Sequence, residues 1–380
     1  MGKHLVFVGA GHAHMTALTR MEDYLNRGHE VTLISPCSHL YYSGMGPGML
    51  SGLYQPREVR FNVRKMAQDR GATFIENCVS RIDPDRHRLF LNDDQWVRYD
   101  IASFNAGSQV PVEAPRTPND RMIPVKPVSN LYKARCAMLN EAPGRDLHIV
   151  VTGGGPAGVE VAANVWRLMR NNGRVAQITL VAGKQILERL PARARVLALT
   201  SFAERNIRVL EGLKVQSVAE TSVALSDGAI LPYDYAFMAV GVEPSPLFRD
   251  SGLRVAEDGG LPVNRFLQSI DYPELFGGGD CISMVGHHLA RVGVYAVRQN
   301  PILHHNLMVA LDGGAMKTFI PPRDYMLILN MGNGRGILSK SNWVWHGRLS
   351  FFLKDFIDKR FMRRFQISGE LSEPTSEYIC

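Results

Sequence analysis

Apolar residues in this chain gather in short dense runs closed by glycine. Leu5, Val6, Phe7 and Val8 make one such run, which ends at Gly9-Ala10-Gly11. A continuous apolar run of that length, stopped by glycine, predicts a strand buried on both faces of a parallel sheet. Residues 14–26 then read as a helix, and Glu30-Val31-Thr32-Leu33-Ile34 as the next strand. The pattern returns. His148-Ile149-Val150-Val151 leads into Gly153-Gly154-Gly155-Pro156-Ala157-Gly158, a helix to about residue 170, and the strand Gln177-Ile178-Thr179-Leu180-Val181. Each copy also closes alike, with six residues between Tyr99-Asp100 and Gly107 and six between Tyr233-Asp234 and Gly241. Strand, glycine turn, helix and strand, twice over, predict an α/β fold with two Rossmann-like units.

The glycine turns carry the first chemistry. In Gly-x-Gly-x-x-Gly the first glycine allows the tight bend, the second lets a pyrophosphate approach the backbone, and the third brings helix and strand together. The helix start adds unpaired N–H groups for the anion. Gly9 and Gly11 stand in the first copy, with His14 in the third place; Gly153, Gly155 and Gly158 fill all three places in the second. Two dinucleotide sites are therefore expected. Neither second strand ends in the acidic residue that would bind a ribose 2′-OH. Ser35 and Ala182 stand there instead, and Lys184 nearby suits a 2′-phosphate.

Composition narrows the class. The chain has 380 residues, 45% of them hydrophobic, enough for a sizeable core in two or three domains. With 43 basic against 36 acidic residues the net charge is only +7, too even a balance for a nucleic-acid coat, so no nucleic-acid partner is expected. Cys37, Cys78, Cys136, Cys281 and Cys380 are widely spaced and form neither Cys-x-x-Cys nor a zinc set. They predict a reducing, cytoplasmic setting and no metal site. The pairs His287-His288 and His304-His305 do not change this, because helix neighbours point about 100° apart. Because the sequence leads straight into a strand-like run, no secretory leader is expected, and no run approaches the roughly 18 apolar residues of a spanning helix.

The last part of the chain follows another rhythm. Tyr325-Met326-Leu327-Ile328-Leu329 and Gly336-Ile337-Leu338 read as two strands. From Trp345 onward, Leu349, Phe352, Leu353, Phe356, Ile357 and Phe361 recur at three- and four-residue spacing, which predicts an amphipathic helix. Residues 340–366 hold seven basic and two acidic residues. An aromatic-rich apolar face ringed by Lys354, Lys359, Arg363 and Arg364 predicts that residues 343–366 contact an anionic membrane surface, peripherally and on its inner face. Packing on a neighbour or in a homodimer is the competing expectation, and Arg360 interrupts the apolar arc.

Two such units, the second inserted in the first, resemble the two-dinucleotide-binding-domain flavoproteins, in which FAD occupies the first unit and NAD(P)H the second. Glu274-Leu275-Phe276-Gly277-Gly278-Gly279-Asp280 is similar to their late flavin motif. The resemblance implies Gly9 and Gly11 at the FAD pyrophosphate, with His12 and His14 flanking them within reach of a phosphate. It implies Ser35 near the adenosine ribose, Val79 near the adenine, Ala106 and Gly107 at a second flavin loop, and Asp280 on the ribityl hydroxyls. Gly153, Gly155 and Gly158 would hold NAD(P)H, and Glu160 would be the catalytic carboxylate facing nicotinamide and flavin. The implied domains are an FAD-binding domain of residues 1–110 and 245–315, an NAD(P)H-binding domain of residues 111–244, and a cap of residues 316–380 ending in the amphipathic helix.

Disulfide-reducing members of that superfamily need a cysteine pair that this chain does not carry. His39-Leu40-Tyr41-Tyr42 and Gly46-Pro47-Gly48-Met49-Leu50-Ser51-Gly52 resemble the type II NADH dehydrogenases. Gly9-Ala10-Gly11-His12-Ala13-His14, Gly293-Val294-Tyr295-Ala296-Val297-Arg298-Gln299 and the run from Asp358 to Phe365 resemble the oxidoreductase module fused to selenide, water dikinase in some proteins. The activity so implied is FAD-dependent oxidation of NAD(P)H with electrons passed to a quinone or similar small acceptor. The dehydrogenases' Ala-Gln-x-x-x-Gln quinone motif is met here by Gly293 and Val294 at its start and Arg298 at its end, with Gln299 one residue off. Two alternatives stay open: a sulfide- or selenium-compound:acceptor flavoprotein resembling sulfide:quinone oxidoreductase with a vestigial NAD(P)H site, and a non-catalytic flavin scaffold for a selenophosphate-forming partner.

Overall fold

The computed structural model describes residues 2–111, 121–142 and 144–374; Glu377, Cys380 and the start of the expected nucleotide domain lie outside the described residues. In chain order, the strands of its two main sheets are β1 (His4–Val8), β2 (Glu30–Ser35), β3 (Thr73–Glu76), β4 (Ile101–Phe104), β5 (Met122–Pro124), β6 (Leu147–Thr152), β7 (Ala176–Ala182), β8 (Arg208–Glu211), β9 (Tyr235–Met238) and β10 (Leu275–Gly277). The first sheet runs β10-β4-β1-β2-β3 and the second β5-β9-β6-β7-β8, every neighbouring pair parallel. β1 and β6 sit centrally and are buried almost throughout, which is why both read as unbroken apolar runs.

The repeat goes deeper than the turns. Before its closing strand each unit carries a three-stranded antiparallel sheet, Val79–Asp83 with Arg88–Leu91 and Trp96–Arg98 in one, Val215–Val218 with Ser222–Leu225 and Ile230–Pro232 in the other. The repeated Tyr-Asp pair clamps the entry of each central strand. Asp100 Oδ2 accepts from His4 N at 2.7 Å and Asp234 Oδ2 from His148 N at 2.8 Å. The two aspartate N–H groups bond back to the His4 and His148 carbonyls. Where the chain passes between the sheets, Ser108–Gln109 pairs antiparallel with Glu243–Pro244.

After the first turn the expected single helix is two short ones, α1 (Met15–Thr19) and α2 (Met21–Leu25), because Arg20 leaves the helical region with φ −125° and ψ 30°. The second turn opens the regular α3 (Pro156–Asn171), and α4 (Gly293–Asp312) packs on the first sheet.

The carboxyl-terminal segment departs from expectation in one respect. Ahead of α5 (Arg348–Phe365) lie three antiparallel strands rather than two, β11 (Leu327–Asn330), β12 (Gly336–Lys340) and β13 (Trp343–Gly347). Trp343 and Trp345 therefore stand on a strand and not on the helix. Their exposures of 81% and 69%, with Val344 between them at 5%, are the alternation of a one-sided strand. Leu329, Ile337 and Val344 join the core under the second sheet, whereas Met362 and Phe365 join the core under the first.

Candidate active site

All the glycine turns lie at carboxyl ends of parallel strands, where an open α/β sheet leaves its ligand crevice. In the first unit Gly9 follows β1 with φ +80°, and a Cβ there would stand 2.4 Å from the Asn105 carbonyl. A Cβ on Gly11 would overlap the Asn105 side chain, and one on Gly279 would stand 2.8 Å from its amide nitrogen. Asn105, just past β4, thus holds three loops together and donates to the Gly278 carbonyl at 2.8 Å. Ser35 ends β2, buried, its hydroxyl donating to the Cys37 carbonyl. Val79 is half-buried just beyond β3, and Ala106 and Gly107 follow β4, Gly107 with φ +71° and open space around it.

His14 supports the turn and does not face the crevice. It is fully buried, with Nδ1 2.7 Å from the Gly9 carbonyl oxygen and Nε2 2.8 Å from Ser103 Oγ. A carbonyl can only accept, so Nδ1 carries the proton and Nε2 accepts from Ser103. Burial pulls its pKa down to about 4, which keeps the ring neutral. His12 behaves differently. Its ring lies edge-on to Tyr42 and Phe361, and its Nε2 is buried with no partner among the described residues.

In the second unit Gly153 has φ +109°, Gly155 has nothing within 4 Å of its Cβ position, and a Cβ on Gly158 would stand 1.9 Å from the Gly153 carbonyl. That close approach explains the third glycine, and the empty space at Gly155 is the room a pyrophosphate needs. Toward the end of β7, Gly154 packs on Ala182 and the loop after it. The carboxylates there are engaged: Glu211 by Arg195 and the Ile186 N–H, Glu188 by Lys184 at 2.9 Å.

The two crevices meet at side chains that motif reading did not single out. Lys126, just past β5, donates to Asp280 Oδ2 at 2.8 Å and to Ser108 Oγ at 2.6 Å. Burial opposes ionisation of Asp280, but Lys126 and Ser108 outweigh it and hold the carboxyl below its usual range. No protein hydrogen bond reaches Asp280 Oδ1 among the described residues, which leaves that oxygen to a ligand. Glu160, at the start of the second turn of α3, accepts from the Asn330 N–H at 2.7 Å. Burial pushes its pKa up to about 7 against the pull of Lys354, with Asp358 adding to the rise.

Lys354 and Asp358 come from α5, four residues apart and 2.9 Å from each other, with side-chain exposures of 11% and 7%. Lys354 also donates to the Gly44 carbonyl, and the Tyr42 hydroxyl donates to Asp358. Burial favours the neutral lysine, but Glu160 and Asp358 outweigh it and raise its pKa. The helix thus turns its ion pair inward while Leu349, Phe352, Leu353, Phe356 and Ile357 are exposed. That inverted polarity was the available signal: Lys354 and Asp358 lie opposite the apolar arc at a spacing that lets them pair. Asn105 and Lys126 had no such signal, because a lone polar residue after a strand has no pattern. Gln299, one place off the quinone motif, is buried and accepts from the Gly279 N–H at 2.7 Å, so it supports the glycine loop after β10.

The comparisons with known proteins agree with this architecture. An internal alternative NAD(P)H-ubiquinone oxidoreductase A1 of Solanum tuberosum mitochondria is 26% identical over 313 residues, covering 73% of this chain and 62% of that protein. The chain therefore spans less than two thirds of that relative's length. The demethylphylloquinone reductase NdbB of Synechocystis sp. is 25% identical over 290 residues, 73% of this chain and 71% of the relative. In fold, NDH2 of Plasmodium falciparum, solved in complex with NADH, superposes with a TM-score of 0.80 at 15% identity over 99% of this chain and 100% of that one. With the sequence profile of the family matched across residues 3–305, the chain belongs to the pyridine nucleotide-disulphide oxidoreductase family.

Proposed function

We propose that this protein is an FAD-dependent oxidoreductase that takes electrons from NAD(P)H and passes them to a quinone at a membrane surface. The observation that carries the reading is the bond from Lys126, just past β5 of the second sheet, to Asp280, just past β10 of the first, which joins the carboxyl ends of the two sheets. The residues fit the cofactor. Among the described residues, the first crevice offers His12 Nε2 and Asp280 Oδ1 without a hydrogen-bond partner and open space at Gly107, and the second offers the empty approach at Gly155. FAD held there would accept a hydride from the nicotinamide and release electrons singly or in pairs. Its domain would comprise residues 1–110 and 245–315, the nucleotide domain residues 111–244, and the cap residues 316–380.

The protein's own work is positional and electrostatic. Gly9 and Gly11 would receive the pyrophosphate of FAD, with Ser35 and Val79 at its adenosine and Ala106, Gly107 and Asp280 around the flavin end. Gly153, Gly155 and Gly158 would receive the nucleotide. Glu160, with a pKa of about 7, is half protonated at neutral pH, so it can hold or release a proton beside the reacting groups. Lys354 places a positive charge next to it, where negative charge on an acceptor would be stabilised. The names of the relatives, both quinone reductases, support the acceptor.

A membrane face is supported by α5. On a helix of 3.6 residues per turn, Arg360, Arg363 and Arg364 continue the side that Leu349, Phe352, Leu353, Phe356 and Ile357 occupy. All eight are exposed. An apolar half followed by a cationic half suits insertion among acyl chains with arginines at the headgroups, and Trp343 and Trp345 extend the apolar end. No helix among the described residues is long and apolar enough to cross a membrane.

The sulfide reading finds less support. Cys281 is fully buried beside Asp280, and burial pushes its thiol up to about 12, far from a reactive thiolate. The deciding experiment is anaerobic addition of NADH or NADPH to the purified yellow protein. Flavin absorbance should bleach and return on addition of a soluble quinone. A flavin that neither nucleotide bleaches would refute the proposal.

A further inference from the structure

A groove of about 940 Å³ lies away from both glycine turns, between α1 and α2 on one side and the carboxyl half of α4 on the other. Arg364 and Phe365, in the last turn of α5, also line it. Its wall is cationic, yet not all of its charge is available. Arg20 lies 4.0 Å from Asp23, and Arg27 is paired with Asp312 at 2.8 Å. His304 is tied to the Tyr24 hydroxyl at 2.8 Å and lies 3.4 Å from Asp23. Lys317 and Arg364, in contrast, enter no ion pair among the described residues. The side chain of Asn26, also on the wall, makes no hydrogen bond there either. Met308, Val309 and Phe365 give the same lining an apolar part.

Two cations with no acidic partner among the described residues, Arg364 lying over the Phe365 ring, together with an amide and apolar side chains in the same lining, match an anion carried on a hydrocarbon body. The position says which. Arg364 lies on the exposed side of α5, and seven residues of helix at 1.5 Å each put it roughly 10 Å along the axis from Ile357. That is within reach of the headgroup layer of a bilayer taking up Phe352 and Phe356. We infer that this groove binds the phosphate of an anionic phospholipid headgroup through Lys317 and Arg364, with the glycerol and first chain carbons over Met308 and Phe365. It gives the surface a lipid preference that the arginines of the open helix face, contacting any anionic lipid, do not supply. This inference rests on the membrane reading of α5 and deepens it.

The test uses the full-length flavoprotein and two vesicle types of equal negative surface charge, one charged by phosphatidylglycerol and the other by oleate, both in phosphatidylcholine. The native protein should bind the phosphatidylglycerol vesicles about tenfold more tightly, the order expected of one hydrogen bond to a charged phosphate that oleate vesicles do not offer. Lys317→Glu with Arg364→Glu should abolish that ratio. Met308→Trp, which fills the groove without changing charge, should reduce it as well. Arg360→Glu with Arg363→Glu, off the groove, should weaken binding to both vesicles alike and leave the ratio standing. Flavin content serves as the check that each variant is folded. A ratio near one in the native protein, or groove variants that leave it unchanged, would overturn the inference. Glycerol 1-phosphate distinguishes a soluble source: if it binds the groove while the variants leave vesicle binding untouched, the occupant is a free phosphate and the lipid assignment fails. Should no vesicle bind the native protein, the membrane reading itself fails, an outcome recognisable because native and variant proteins then behave identically.

Discussion

The first and second glycine turns solve one problem in two ways. Each must hold a carbonyl, Gly9 in one unit and Gly153 in the other, beneath the start of the following helix. In the second unit the helix comes close enough that Gly158 must lack a side chain, its Cβ position lying 1.9 Å from that oxygen. In the first, His14 occupies the corresponding place and spans the gap, donating to Gly9 and accepting from Ser103. The strand residue opposite differs to match, Ser103 in β4 against Phe237 in β9. Close packing and a buried hydrogen-bonded ring are thus interchangeable supports for the same turn. The ring costs more to remove, because its loss leaves both a cavity and unpaired polar groups.

This comparison can be broken at its strongest point first. His14→Ala should destabilise the protein by about 3 kcal/mol and lower the FAD bound per chain, with His14→Asn, whose amide can still donate to Gly9, recovering part of both. Denaturant titration and the ratio of flavin to protein absorbance measure this; equal loss from Ala and Asn would show that the hydrogen bond is not what matters. Gly158→Ala should act on the other unit alone. Overpacking against Gly153 would cost about 2 kcal/mol, cut the rate of flavin bleaching by NAD(P)H roughly thirtyfold, and leave bound FAD unchanged.

Acid should also separate the halves. His12 and His14 have pKa values held near 4 by burial, below the ordinary 6.5, so the unfolded chain binds protons that the folded one does not. Their contribution is present above pH 6.5 and is lost as the pH falls toward 4. The first unit should accordingly release flavin on acidification through that window, and less steeply in His14→Asn. Both histidines belong to the first turn; the second has none.

Two smaller effects sharpen the picture where the crevices meet. Glu160→Gln should slow acceptor reduction about tenfold and remove an inflection near pH 7, since the native carboxyl loses its proton, and its ability to donate one, as the pH rises through that value. An unchanged pH profile would assign the inflection elsewhere. Last, Ala182→Asp would supply the missing acceptor for a ribose 2′-OH and repel a 2′-phosphate. The ratio of NADH to NADPH efficiency should rise about fivefold, and no change would place the adenosine ribose away from the end of β7.

The order of strands, the two turns and the paired closing motifs were legible along the chain because each depends on neighbours in sequence: a run of apolar residues, a glycine where only a glycine fits, an aspartate at a constant remove. The repeat even carried a clue to its own purpose, since Asp100 and Asp234 bond His4, the first residue of β1, and His148, the second of β6. Two local expectations yielded to backbone geometry. Residues 14–26 break at Arg20, and Trp343 with Trp345 stand on a strand whose alternation was too short to outweigh the helical rhythm beyond it.

Local pattern thus determined the α/β class, the doubled nucleotide frame and the apolar stretch near the carboxyl end. Only the folded chain decided that His14 is a support, that Asn105 locks three loops, and that Lys126 reaches Asp280, 154 positions further along the chain. It also decided that α5 sends Lys354 and Asp358 toward Glu160 from nearly two hundred residues away. The physical reason is that hydrogen bonds and charges act over a few ångströms of space, whatever their separation along the chain. A periodic pattern can therefore announce a helix or a strand, while the partner of a single buried polar group exists only once distant strands have been brought side by side.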